Sequence, residues 1–131
     1  IQPVVRLNGT SDIMWENYLD METEFPMVQF YDYTKIVKRA YKTLPSNYHL
    51  TLSYSEANGD YAQSVLKAHK EMGANMAVVF RTPFDVTQSF ASSPVLDGDK
   101  DDLRFLDPKG HVVSLYAKGD AKKDASGFVI G

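Results

Sequence analysis

Short apolar runs alternate along the first part of the chain with segments whose apolar residues recur at helical spacing. The runs lie at residues 4–7, 28–33, 48–53 and 76–80. This alternation is typical of βαβ units, in which parallel strands lie side by side and the intervening helices cover the sheet. We therefore predict an α/β fold of repeated βα units with a mainly parallel sheet, half-barrel-like or open, over residues 1–81.

Three helices are predicted between these strands. The first spans about residues 13–23, the second spans residues 35–44, and the third follows a turn at residues 55–60. Pro45 closes the second helix, because the residue before a proline is disfavoured in the helical conformation. Gly73 suits the left-handed residue that ends many helices, so the third helix is expected to end there.

The pattern changes after Arg81. Residues 82–94 have no sustained period and predict a long loop, and residues 95–102 form an acidic, turn-rich run. A short strand at 103–106, joined through turn residues 107–110 to a strand at 112–117, predicts a hairpin-like appendage. Residues 82–131 are thus expected to be the loop, acidic turn and C-terminal hairpin or tail of the same domain.

Composition narrows the class of protein. The chain has 131 residues, enough for one domain, and a formal net charge of -3, which excludes a global attraction for nucleic acid or anionic membranes. It has no cysteine, so disulfides and cysteine nucleophiles are excluded within it. With no stretch apolar enough to span a bilayer and no leader, we expect a soluble, cytoplasmic protein without a membrane partner. The start at Ile1, directly before a strand, indicates a piece of a longer protein, a processed product or the choice of expressed segment.

Candidate chemistry collects where the strands end. The carboxyl ends of parallel strands meet at one edge of a sheet, and this edge suits a polar or phosphorylated small molecule. We take Asp32, Lys35 and Arg81 as candidate catalytic residues, and whether the protein is an enzyme stays open. The candidate ligand-binding residues are Asn8, Tyr31, Thr34, Ser53 and Ser55, with Asp97, Asp99, Asp102 and Arg104 of the acidic turn folded over the site. The same edge also collects Thr10, Ser11, Asp12, Tyr33 and Tyr54.

Part of this set has a plainer interpretation, because serine, threonine, asparagine and aspartate are common at helix N-caps and turns. Asp32 is the stronger candidate for a functional residue. It lies between two tyrosines in a predicted strand, where a carboxylate needs a hydrogen-bond partner or water. Lys35 or Arg81 is the expected partner. A structural ion pair and a catalytic acid or base are both open for Asp32.

The acidic run has the alternation of a calcium loop without its other requirements. Asp97, Asp99 and Asp101 occupy alternate positions, but the sixth position is Asp102 rather than glycine and the twelfth is Pro108 rather than glutamate. Loose Mg²⁺ or Ca²⁺ binding and a solvated turn are the two interpretations. The three histidines lack ligand spacing and no phosphate-loop or dinucleotide motif is present, so no metal site is assigned and the cofactor is unknown.

Two other functions compete with small-molecule binding. A basic stripe at helical spacing comprises Lys35, Lys38, Arg39 and Lys42. This stripe either binds the phosphates of a nucleic acid or is a solvated helix face. The lysines at 118, 122 and 123 add a second patch. The apolar residues 128–130 at the end of the tail suit an oligomer contact, which makes the chain an interaction protein.

The order of several short motifs resembles a phage and plasmid family, the "gene product eighty-eight"-like proteins. The motifs are VVRLNG at 4–9, FYDYTK at 30–35, LPSNYHLTLS at 44–53, DGD at 97–99 and DLRF at 102–105. The resemblance is to the C-terminal portion of the family, whose cysteine-containing N-terminal part has no counterpart here, so metal-cluster chemistry does not carry over. It implies a mobile-element origin and a half-barrel-like fold and supplies no activity. The positions it matches are Tyr31, Asp32, Thr34, Lys35, Ser53, Asp97, Asp99, Asp102 and Arg104.

Overall fold

The computed structural model of the chain describes residues 2–9, 11–101 and 103–131. Within them seven strands form one sheet: β1 (Val4–Arg6), β2 (Gln29–Thr34), β3 (Tyr48–Ser53), β4 (Met76–Phe80), β5 (Val95–Asp97), β6 (Val112–Tyr116) and β7 (Val129–Ile130). Their order is β1-β2-β3-β4-β6-β5, and β7 pairs with β4 beside this path. These pairings are all parallel. The predicted α/β class with a mainly parallel sheet is confirmed, and the sheet is open.

The two faces of the sheet are covered by different parts of the chain, because side chains alternate between the faces of an extended strand. On one face Leu52, Met76 and Val78 are at most 2 % exposed and pack with Val65 of the long helix. On the other face the ring of Tyr31 lies 6.5 Å from that of Phe105. The helix-covered face therefore holds the main apolar core.

The third predicted helix is confirmed, and its two ends follow the expected chemistry. Helix α2 (Gly59–Met72) is preceded by Asn58, whose side chain accepts a hydrogen bond from the backbone N–H of Tyr61 at 3.1 Å. Gly73 ends it with a left-handed φ of 68°. No helix in the described ranges has the length and apolar character needed to cross a membrane.

The other two predicted helices are wrong in extent. Residues 13–23 form a 3₁₀ turn (Trp15–Asn17) and the one-turn helix α1 (Met21–Glu24), and residues 35–44 contain only the 3₁₀ turn Val37–Tyr41. The apolar stripe of the second segment is buried only in part, because Val37 and Ala40 pack against the core whereas Tyr41 is 44 % exposed. Arg39, which lies outside the stripe, is 0 % exposed, so the segment is shaped around a buried guanidinium group as well as around apolar residues.

The C-terminal hairpin is also wrong in form. Residues 104–106 make a 3₁₀ turn (Arg104–Leu106) instead of a strand, and β6 lies between β4 and β5, parallel to both. Val112 and Val113 point to opposite faces and are both 0 % exposed. Because a strand that is buried on both faces belongs inside a sheet, β6 takes a central position and not the edge position of an added hairpin.

The end of the chain is part of the sheet. β3 pairs with β4 at Met76 and Ala77, and β7 pairs with β4 further along, at Val79 and Phe80. The short strand β7 therefore continues the line of β3 beyond its carboxyl end. Val129 is 4 % exposed, so the tail is not the exposed apolar segment that the oligomer interpretation requires.

Candidate functional site

A cleft of about 500 Å³ opens where the strands end. Strands β1, β2, β3, β4 and β6 contribute to it, together with residues that follow β1 and with the segment that precedes β7. We call it the rim cleft; it is lined by Arg6, Gly9, Ser11, Asp12, Tyr33, Thr34, Lys35, Ser53, Ala77, Val79, Leu115 and Phe128. The predicted residues Thr34, Lys35 and Ser53 thus meet in one cleft, as do Ser11, Asp12 and Tyr33.

Two exposed cations flank the rim cleft. The guanidinium carbon of Arg6 lies 5.0 Å from the centroid of the Tyr33 ring, and its Nε donates to the Asn8 carbonyl at 3.0 Å. The ammonium group of Lys35 lies 5.7 Å from the centroid of the Phe128 ring. Within the described part of the chain, neither cation has a carboxylate within ion-pair distance. The mouth of the cleft therefore carries two positive charges, and the Asp12 carboxylate, which also lines the cleft, is paired with Arg39.

The carboxylate of Asp12 fixes one side of the cleft. Its Oδ1 accepts hydrogen bonds from Thr34 Oγ1 at 2.8 Å and from Arg39 Nη1 at 3.0 Å. Its Oδ2 accepts from the backbone N–H of Lys35 at 2.7 Å. Asp12 thus joins the first segment of the chain to the end of β2 and sets the backbone from which the Lys35 side chain projects.

Asp32 lies beneath this edge in a buried polar network. It is 1 % exposed, and its carboxylate accepts from the backbone N–H of Asn8 at 2.7 Å, from Asn8 Nδ2 at 3.1 Å and from Tyr48 Oη at 2.5 Å. Burial raises the pKa of Asp32, while the donors Tyr48 and Asn8 and the charge of Arg39 act in the opposite direction. The partners of Asp32 are therefore Asn8 and Tyr48 rather than the expected Lys35 or Arg81.

Arg39 connects this network to the first segment. Its guanidinium donates to both carboxylate oxygens of Glu16, at 3.1 and 2.8 Å, to Asp12, and to Tyr48 Oη at 2.9 Å. This bidentate pairing suits a buried arginine, because it satisfies the donors that burial removes from water. The expected basic stripe is consequently interrupted at its centre, with Lys38 and Lys42 exposed and Arg39 inside.

Arg81 holds the end of the chain. Its guanidinium donates to three backbone carbonyls, those of Gly131 at 2.7 Å, Lys122 at 2.5 Å and Asp124 at 2.5 Å. Its backbone N–H donates to the Ile130 carbonyl at 2.9 Å. Of the three candidate catalytic residues, only Lys35 lines the rim cleft.

The remaining candidates lie outside the rim cleft. Asn8 is buried with Asp32, Tyr31 faces Phe105, and the hydroxyl of Ser55 accepts from the backbone N–H of Ala57 at 3.1 Å, as in a turn. Tyr54 Oη donates to the carboxylate of Glu56 at 2.7 Å. Thr10 and Asp102 lie outside the described residues.

The acidic run is an internally bonded turn. Asp97 Oδ1 accepts from the backbone N–H of Asp99 at 2.9 Å, and Asp99 Oδ2 accepts from that of Tyr116 at 2.7 Å. Arg104 is 2 % exposed and pairs with Asp107 at 3.2 Å and with Asp101 at 3.3 Å. In the part of the chain that the structure describes, no group of three or more acidic or histidine side chains has the geometry to hold a metal ion.

A second cleft, of about 350 Å³, lies on the opposite face of the sheet. It opens beside the short Val37–Tyr41 turn, where a full helix would have covered Leu50 and Leu52. The polar side chains at its base, Arg39 and Tyr48, are already bonded to Glu16 and Asp32. The polar groups at its base are therefore committed, whereas the exposed Lys42 and Lys109, which also line it, have no ion-pair partner among the described residues.

Arg6 and Phe128 are two of the lining residues that sequence reasoning missed; the others are Gly9, Ala77, Val79 and Leu115. Arg6 falls within a predicted strand and not after it. We looked for ligand-binding residues only at the carboxyl ends of the strands, so Arg6 was not selected. Phe128 lies nearly fifty residues from β4, and only the pairing of β7 brings it to the cleft. The alternation of side chains along β1 could have identified Arg6. Its register partner is Tyr31, so the Arg6 side chain lies on the same face of the sheet as the Tyr31 side chain.

The fold and this cleft define an open-sheet α/β protein with a small-molecule-sized cavity at the carboxyl edge. The chain belongs to the Gene product 88 family, a phage-type family whose model matches residues 1–131. No curated protein and no solved structure matches the chain significantly.

Proposed function

We propose that the protein binds a polar or phosphorylated small molecule in the rim cleft. The observation that carries this proposal is the pair of exposed cations, Arg6 and Lys35, which flank a cleft of about 500 Å³ and have no carboxylate partner among the described residues. Ligand clefts of this volume hold small organic molecules, and a few charged groups at the mouth orient them.

The surrounding residues have separate roles in this proposal. Arg6 and Lys35 bind the anionic group, and Ser53 adds a hydroxyl beside them. Asp12 positions Lys35 through the backbone hydrogen bond at 2.7 Å. Asp32 acts at a distance, by fixing Asn8 and therefore the segment that follows Arg6.

Titration calorimetry with a panel of phosphate monoesters tests the proposal. We expect binding to the parent chain and a loss of about tenfold or more in affinity for each of Arg6→Gln and Lys35→Gln, because each removes a charge-assisted contact of about 1.5–3 kcal/mol. Lys38→Gln is the matched control, since Lys38 is exposed three residues further on and does not line the cleft.

Two results would overturn the proposal. One is the absence of binding by every monoester in the panel. The other is an equal loss of affinity in Lys38→Gln and Lys35→Gln, because binding would then depend on general positive charge and not on the cleft.

A further inference from the structure

Part of the wall of the rim cleft is an apolar surface of the sheet. Ala77 and Val79 of β4 and Leu115 of β6 lie on the same face of the sheet, and all three line the cleft. Such a surface offers no hydrogen bond to a sugar or polyol, and it favours a ligand with a flat apolar part.

Both cations of the cleft lie beside aromatic rings. Arg6 is 5.0 Å from the ring centroid of Tyr33, and Lys35 is 5.7 Å from that of Phe128. An anionic group that reaches either cation therefore brings the rest of its molecule next to an aromatic wall. Aromatic pairs contribute about 0.5–1.5 kcal/mol beyond the area they bury, so a ring on the ligand adds affinity in this position.

We propose that the rim cleft takes a planar aromatic ring carrying an anionic group, and that Phe128, held in place by Arg81, is the contact for that ring. The anionic part of this ligand rests on the proposed function. The ring and the role of Arg81 go beyond it.

The position of Phe128 depends on the C-terminal segment, residues 118–131. Arg81 donates to three carbonyls of this segment, and the Asp124 carboxylate accepts from the backbone N–H of Val129 at 3.1 Å. Gly127 packs against the chain before α2: a Cβ there would lie 2.7 Å from the backbone nitrogen of Ala57, and its φ is 104°. Arg81 is thus a positioning residue, which acts on the ligand only through Phe128.

The test compares phenyl phosphate with isopropyl phosphate, which carries the same anion without the ring. By calorimetry we expect the 131-residue chain to bind phenyl phosphate about three- to tenfold more tightly. Phe128→Leu should remove this preference, chiefly by lowering the affinity for phenyl phosphate more than that for isopropyl phosphate. Phe25→Leu is the matched control, since Phe25 is 42 % exposed and lies outside the cleft.

The role of Arg81 is tested by whether the effects of two substitutions on the preference for phenyl phosphate add. Arg81→Met should reduce the preference for phenyl phosphate as Phe128→Leu does, and the double variant should lose no more than either single variant, because both changes act on one contact. Asp124→Asn, which weakens the same segment, serves as a second variant, and thermal unfolding confirms that each variant is folded. A merely structural role would lower stability and leave the ratio of the two affinities unchanged.

The outcomes separate the two proposals. Equal affinities for the two phosphates would overturn the proposal that the ligand carries an aromatic ring, and would not affect the proposal that the cleft binds an anion. If neither these two phosphates nor any other monoester of the panel bound, the proposed function would fail and this inference with it. Full preference for phenyl phosphate in Arg81→Met and Asp124→Asn, with none in Phe128→Leu, would overturn the positioning role alone.

Discussion

At the scale of single residues, the most constrained group is the carboxylate of Asp32. It is 1 % exposed and accepts three hydrogen bonds from Asn8 and Tyr48. Burial nevertheless raises its pKa, so the folded chain binds the Asp32 proton more tightly than the unfolded chain does. The stabilisation from this proton is complete below the unfolded pKa of about 3.9 and is lost as the pH rises through the folded pKa.

We therefore expect the stability difference between the parent and Asp32→Asn to depend on pH. The unfolding free energy of the parent, relative to that of the variant, should fall as the pH rises from about 4 towards neutrality. Urea unfolding at a series of pH values measures it. Asp120→Asn, at an exposed position, is the control. A constant difference across this range, or one that grows with pH, would contradict the prediction.

At the scale of elements, strand β7 has two functions. It covers the edge of β4 beyond the end of β3, and it brings Phe128 to the rim cleft. It is only two residues long, yet Val129 is 4 % exposed and Arg81 bonds the backbone on both sides of it. Short strands of this kind depend on such side-chain contacts, since two residues of ladder contribute few hydrogen bonds.

Removal of residues 124–131 should therefore both destabilise the chain and open an edge. Loss of the buried Val129 side chain alone costs about 1.5–3 kcal/mol, and the carbonyl partners of Arg81 are lost as well. An uncovered strand edge pairs readily with another chain, so light scattering should show association at higher concentration. The Phe128→Ser variant of the 131-residue chain, which keeps β7, is the control. A shortened chain that unfolds at the parent temperature and stays monomeric would contradict this.

At the scale of the whole molecule, the cations are divided between interior and surface. The formal net charge is -3, and Arg39, at the centre of the expected basic stripe, is fully buried with Glu16 and Asp12. Its guanidinium ties the first segment of the chain to the ends of β2 and β3. Arg39 therefore belongs to the folding of the molecule and not to a nucleic-acid surface.

Replacing Arg39 distinguishes these two interpretations. Arg39→Met should lower the unfolding free energy by about 3–5 kcal/mol, because it leaves the carboxylates of Glu16 and Asp12 without their buried partner. Lys38→Met, at an exposed position, should change it by less than about 0.5 kcal/mol. Denaturant unfolding measures both, and fluorescence anisotropy with a DNA duplex at low salt runs in parallel. A stable Arg39→Met protein that had lost DNA binding would restore the surface interpretation.

Much of the frame was predictable because it depends on local pattern. The bounds of β3 and β4 match the predicted runs, and α2 ends at the glycine that its left-handed conformation favours. Parallel pairing then brought Thr34, Lys35 and Ser53 to one edge, as strand direction requires. These features follow from periodicity and from the direction of the strands, which the order of residues already contains.

The partners of the buried charges were decided only by tertiary structure. Asp32 is bonded to Asn8 and Tyr48, and Arg39 to Glu16, over separations of 16 to 24 residues. Apolar periodicity alone does not determine which side chains of a segment are buried, and in the Val37–Tyr41 turn a guanidinium with several donors is buried in addition to part of the apolar stripe. The sequence by itself determined strands β1 to β4 and β6, the long helix and the shared edge. The tertiary structure alone decided which charges lie inside, and that the tail enters the sheet, because those outcomes depend on hydrogen-bond partners that meet only when the chain is folded.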